Sequence, residues 1–90
     1  MPEALVAVNV DVGKEDHVFE ELLKMPEVRE VFMVYGIYDI MAVVDVPDID
    51  MLRKTVTGRI RKIDGVKSTL TMVVVRKESK GSASGTGGQR

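Results

Sequence analysis

The stretch Val31-Phe32-Met33-Val34-Tyr35-Gly36-Ile37-Tyr38-Asp39-Ile40-Met41-Ala42-Val43-Val44-Asp45-Val46 decides the fold. Two apolar runs, Val31 to Val34 and Ile40 to Val46, flank a segment too short for anything but a tight turn. Gly36 is able to reach φ > 0 and Asp39 can bond nearby amides, so turn chemistry predicts a three- or four-residue loop between antiparallel strands. The turn carries two tyrosines and an acid around a bare glycine backbone, which suits the lining of a small-molecule site. It equally suits a hairpin corner whose tyrosines cover an edge of the core, since loop aromatics often only pack.

Outward from this hairpin the patterning is regular. Ala4, Val6, Val8, Val10 and Val12 alternate with Leu5, Ala7, Asn9 and Asp11, a first strand with one wholly apolar face. Gly13 breaks it, and residues 14–25 follow helical spacing, with Val18, Phe19, Leu22 and Leu23 on one stripe and Glu15 and Asp16 placed to suit the helix dipole. Pro26 ends this helix by pushing the residue before it out of helical geometry. Strands follow over residues 28–35 and 39–46, closed by Pro47 and Asp48. A second helix runs to Lys62, capped by Asp48 or Asp50, with Ile49, Leu52, Val56, Ile60 and Ile63 stepping by three or four; Gly58 weakens it slightly. Gly65 is placed to stop it, and residues 66–76 form a fourth strand. The remainder, Glu78 to Arg90, has no large apolar residue and is expected to be disordered, leaving residues 1–77 as the folded domain.

The order strand, helix, strand, strand, helix, strand predicts an α+β fold, the ferredoxin-like βαββαβ plait: a four-stranded antiparallel sheet with both helices on one face. With the valine side of the first strand beneath the helices, the opposite face is expected to show Leu5, Ala7, Met41, Val43, Val73 and Val75. Such an apolar face asks for a partner, and a second copy packed sheet against sheet is the simplest one. A folded portion this short gains from that burial.

Composition narrows the function. The chain has 90 residues, 13 Lys+Arg against 14 Asp+Glu, 44% hydrophobic residues and no cysteine. Near-neutral charge argues against a general nucleic-acid binder. Without cysteine there is no disulfide framework or thiolate metal site, and His17 has no second histidine for a metal site or a triad. The start lacks a basic leader and the first apolar run is interrupted by Asn9 and Asp11, so neither a signal peptide nor a membrane span is expected, and the cytoplasm is the default location. The basic residues Arg53, Lys54, Arg59, Arg61 and Lys62 on the second helix read as a solvated helix face more readily than as a nucleic-acid footprint. Strand parity places Asp39 and Asp45 with Met41 and Val43, and Thr69 and Thr71 on the partner face of the fourth strand. Polar groups on an apolar face must be satisfied across an interface, by water or by a ligand.

Gly13 before the first helix, Pro26-Glu27-Val28 at its end, Gly36-Ile37-Tyr38-Asp39 at the hairpin and Gly65-Val66 before a strand bearing Thr69 and Thr71 together resemble the effector-binding (RAM) domain of the Lrp/AsnC, or leucine-responsive, transcriptional regulators. The resemblance covers residues 3–76. It implies dimers formed through the sheets, higher rings such as octamers, and an amino acid or related small effector bound near the turn. It marks Tyr35, Gly36, Ile37, Tyr38 and Asp39, and less firmly Thr69 and Thr71, as ligand-binding residues. Full regulators of that family carry an N-terminal helix-turn-helix domain, whereas here the first strand starts at Ala4. The expectation is therefore a stand-alone, non-enzymatic module without cofactor, metal or direct DNA binding, able to assemble with a full-length regulator. A small dimeric plait enzyme and a ligand-free oligomerisation domain are the alternatives.

Overall fold

The computed structural model describes residues 3–80. In order, the elements are β1 (Glu3–Val10), α1 (Glu15–Leu23), β2 (Val28–Met33), β3 (Ile40–Asp45), α2 (Ile49–Gly58), a 3-10 turn (Ile60–Lys62) and β4 (Val66–Val73). The sheet order is β2-β3-β1-β4, and every neighbouring pair is antiparallel. This is the expected ferredoxin-like plait. Of the segment expected to be disordered, residues 78–80 have no regular secondary structure and residues 81–90 lie outside the described residues.

The alternation in β1 sorts its side chains. Ala4, Val6, Val8 and Val10 turn toward the helices, where they are buried with Ile40, Ala42 and Val44 of β3, and with Val18 and Leu22 of α1. Leu52, Val56 and Ile60 close the layer from the second half of the chain. Truncating a side chain as enclosed as Ile40, Leu22 or Ile60 would cost about 2–5 kcal/mol in lost transfer energy and cavity.

Several boundaries are tighter than the sequence suggests. The α2 helix stops at Gly58 rather than reaching Lys62, and its continuation tightens into the 3-10 turn. Gly58 lowers helix propensity where the chain must already bend toward β4. At the other end Asp48 is the cap, its Oδ1 accepting from the Met51 amide at 2.8 Å. Left-handed backbone occurs at Gly13 (φ 91°) and Gly65 (φ 103°). Gly65 lies in the turn into β4, and a Cβ added there would sit 2.6 Å from Lys14 Cβ.

One expectation about the sheet is overturned. The register between β1 and β4 slips at Asn9/Val10, so that Val10 pairs with Val66 but Asn9 pairs with Ser68. The bulge inverts parity along β4. Thr69, Thr71 and Val73 consequently stand opposite Val8, Val6 and Ala4 on the helix side, while Leu70 and Met72 stand opposite Ala7 and Leu5 on the open face. Val73 therefore does not belong to the open face, and Val75 lies beyond the strand, almost fully exposed. The open face is instead built from Leu5, Ala7, Phe32, Met41, Val43, Leu70 and Met72.

Candidate functional site

The turn between β2 and β3 is closed by a bond from the Val34 amide to the Asp39 carbonyl at 3.0 Å, leaving Tyr35–Tyr38 as the loop. Tyr35 and Ile37 are exposed, Gly36 is open, and Tyr38 and Asp39 are half-buried. The structure thus brings all five turn residues to one corner of the sheet. Within the chain, Tyr35 and Ile37 cover little of the core.

Asp39 is the fixed point of this corner. Its backbone amide donates to the Val8 carbonyl at 3.0 Å, and its Oδ2 accepts from the Val10 amide at 2.8 Å. The β3 strand begins only at Ile40, opposite Val8, so Val10 has no strand residue beside it on that side. The Asp39 carboxylate takes the place of the missing carbonyl. A charge-assisted bond to a backbone amide is among the stronger local ties available.

Gly36 behaves differently from expectation. Its φ is not in the left-handed region, and a Cβ added to it meets nothing within 4 Å. Neither backbone conformation nor packing within the chain requires glycine at this position.

Thr69 and Thr71 are not part of the corner. Because of the β4 bulge they lie on the helix side of the opposite edge strand, and Thr71 borders a groove against α2. The two threonines are therefore separated from Asp45 by the thickness of the sheet rather than sharing its face.

The open face ends in a charged cluster that alternation alone did not disclose. Glu3 and Asp45 are directly opposite on β1 and β3, a like-charge cross-strand pair. A register slip in β2 between Val28 and Glu30 lets Arg29 reach both, 3.5 Å from Glu3 Oε2 and 3.5 Å from Asp45 Oδ2. Lys77 adds a contact to Glu3 at 3.1 Å. Asp45 Oδ1 is enclosed without a donor among the described residues. The sequence marked Asp45 as a polar group on an apolar face, but Arg29 reaches it only through the bulge in β2. The basic residue Arg59 is similarly engaged, with both oxygens of Glu27 at 2.9 and 3.1 Å.

A plait with one open apolar face and a fixed, exposed β2–β3 corner can be compared with known domains. The profile of the Lrp/AsnC ligand binding domain matches residues 3–83. The chain belongs to this family. It is 38% identical over 80 residues to the uncharacterized HTH-type transcriptional regulator PH0140 of Pyrococcus horikoshii, covering 89% of this chain and 51% of that protein. This Lrp/AsnC domain thus spans about half the length of that relative. Its fold matches TTHA0845 of Thermus thermophilus with a TM-score of 0.83 and 30% identity, over 89% of this chain and 100% of that one. The transcriptional regulator NMB0573 of Neisseria meningitidis, solved as a complex with L-Met, shares the fold at a TM-score of 0.80 and 18% identity, over 88% of this chain and 53% of that one.

Among the described residues no helix is long and apolar enough to cross a membrane.

Proposed function

We propose that this Lrp/AsnC domain is a non-enzymatic effector-binding and oligomerisation module of the cytoplasm. It pairs sheet to sheet with a second copy, builds higher rings, and binds an amino acid or related metabolite at the Tyr35–Asp39 corner. It modulates transcription through assembly with regulators and does not itself read DNA.

The observation that carries this reading is the corner. Asp39 is tied to β1 by two bonds, so the loop is held in place, yet Tyr35 and Ile37 project from it with almost no cover from their own chain. A rigidly based loop bearing uncovered aromatic and aliphatic side chains is suited to contact between copies and to enclosing a small ligand there. The open sheet face supports the pairing: Phe32, Leu70 and Met72 are 47%, 46% and 39% exposed on it. Domains of this size gain stability from covering such a surface.

Light scattering with thermal-shift screening tests the proposal. It expects an oligomer at micromolar concentration and a rise in melting temperature with at least one amino acid, L-methionine being the first probe. A monomer would overturn the assembly, and a silent screen would overturn the effector role. Specific binding of the isolated chain to an operator at physiological salt would contradict the absence of DNA reading.

A further inference from the structure

We propose that α1 of one copy docks on α2 of another, with Leu23 seated in a hollow over Gly58 and the acids beside Leu23 facing the cations that rim it. The contact rests on the assembly proposed above and supplies the surface through which sheet-paired dimers join. It lies on the helix layer, apart from the open sheet face and the Tyr35–Asp39 corner.

Charge is segregated along the chain. Residues 1–45 hold ten Asp and Glu against three Lys and Arg, whereas residues 46–90 hold four against ten. Two ion pairs join the halves, Lys14 to Asp64 at 2.8 Å and Arg59 to Glu27 at 2.9 Å, and leave most of this imbalance in place. Asp16 and Glu20 on α1, and Arg53 and Lys54 on α2, are exposed and make no ion pair among the described residues. The two sets lie on different flanks: α1 packs against β2 and β3, the 3-10 turn that continues α2 packs against β4, and the sheet runs β2-β3-β1-β4. Lys14, Glu21 and Met25 mark the side of α1 that faces the second half of the chain. Helical spacing puts Asp16, Glu20 and Leu23 on one stripe turned away from that side, so these acids look outward to another molecule.

Shape agrees with charge. Leu23 is 51% exposed beside Glu20, an apolar knob on an acidic stripe. The hollow on α2 has a volume of about 350 Å³ and is lined by Arg53, Lys54, Thr57 and Gly58. Its floor is open because Gly58 has no side chain: the backbone there is not left-handed, and an added Cβ would meet nothing within 4 Å. Glycine at the end of α2 therefore serves no need of the single chain and costs helix propensity. Exposed ion pairs contribute little one at a time, so burial of Leu23 supplies the adhesion and the charges fix its direction. Stripe and hollow are different surfaces, so the contact runs head to tail and can close into a ring.

The full chain is sized by light scattering and sedimentation velocity at about 0.1 M and about 1 M salt, between which the screening length falls from about 10 Å to about 3 Å. Species larger than a dimer are expected at low salt and dimers at high salt. Gly58→Leu fills the hollow and should stop at the dimer at low salt, as should the double variants Asp16→Lys/Glu20→Lys and Arg53→Glu/Lys54→Glu. These positions are exposed, so circular dichroism should match the wild type. Mixing the two charge-reversed proteins should restore the larger species, because one then carries only cations and the other only acids at both surfaces. Larger species that persist in Gly58→Leu, or a mixture that stays dimeric, would overturn the docking. A wild-type dimer at low salt would overturn it and leave the sheet pairing standing, whereas a monomer would overturn both. Arg53→Glu/Lys54→Glu that keeps wild-type size but loses retention of a single-stranded oligonucleotide would give these cations to a polyanion and overturn the docking as well.

Discussion

The Asp39 carboxylate holds the Val10 amide at 2.8 Å, and this single bond joins the β2–β3 hairpin to the end of β1 beyond the last strand pairing. Its loss would leave an almost buried backbone donor without a partner. Asp39→Ala is expected to destabilise the domain by about 1–3 kcal/mol, since an unsatisfied buried amide carries its full desolvation penalty. Asp39→Asn keeps an acceptor oxygen and should lose roughly half of that or less. Denaturant unfolding of both variants measures the difference. Equal destabilisation would mean that the negative charge, rather than the acceptor, holds the hairpin.

Gly36 and Gly65 should respond oppositely to alanine. At Gly36 the backbone is ordinary and the space is open, so Gly36→Ala should change stability by no more than about 0.5–1 kcal/mol in either direction. At Gly65 the backbone is left-handed and the added Cβ would meet Lys14 Cβ at 2.6 Å and Val18 Cγ2 at 3.2 Å. Gly65→Ala should cost about 1–3 kcal/mol, combining strain with displacement of the start of α1. Thermal unfolding of the two variants side by side checks the contrast. Because Gly36→Ala spares the fold, loss of assembly or ligand affinity in that variant reports on the corner itself.

The open face is tested by charge. Leu70→Asp and Met72→Asp introduce carboxylates at positions 46% and 39% exposed in the single chain, so the fold tolerates them while a sheet-to-sheet interface would bury them unpaired. Light scattering should show dissociation to monomers with secondary structure retained. Val73→Asp, on the helix side of the same strand and 43% exposed, is the control and should leave both fold and assembly unchanged.

Acid stability contains a small contribution from Lys14 and Asp64, 2.8 Å apart, which tie the start of α1 to the turn before β4. The hydrogen bond from Lys14, followed by its charge, lowers the Asp64 pKa from the ordinary 3.8, and the hydrogen bond and charge of Asp64 raise Lys14 from 10.5. A depressed carboxylate contributes stability that is present above its unfolded pKa and lost as pH falls through the folded value. A raised lysine contributes stability that is present below its unfolded pKa and lost as pH rises through its folded value. The pair therefore acts between about pH 4 and pH 10, and Asp64→Asn should flatten the pH dependence below 4 while changing little in high salt, where exposed pairs are screened. Denaturation at pH 3 and pH 7 with and without salt measures this.

The plait was legible because β1 alternates cleanly and because Gly36, Pro26 and Gly65 punctuate elements of ordinary length. The hairpin corner was legible for the same reason. What alternation could not carry was the parity of β4. The slip at Asn9/Val10 leaves Lys67 as an extra residue between Val66 and Ser68, which the sequence pattern does not mark, so Thr71 and Leu70 exchange sides. The Arg29 bridge to Glu3 and Asp45 is hidden similarly, by the slip in β2. The role of Asp39 was half legible: its chemistry announced a bond to nearby amides, but the amide it holds belongs to Val10, twenty-nine positions away.

The effector role stands or falls on a thermal-shift screen of the full chain against the proteinogenic L-amino acids, run beside Gly36→Leu, which places bulk in the open space at the corner without touching the core. A ligand present at a hundred times its Kd stabilises the native state by about 2.7 kcal/mol. In a domain of this size that is a shift of about ten degrees or more. The expected result is such a shift for at least one amino acid in the wild type, with most of it lost in Gly36→Leu and the starting melting temperature nearly unchanged. No shift with any amino acid at millimolar concentration, or an equal shift in both proteins, would contradict an effector site at Tyr35–Asp39.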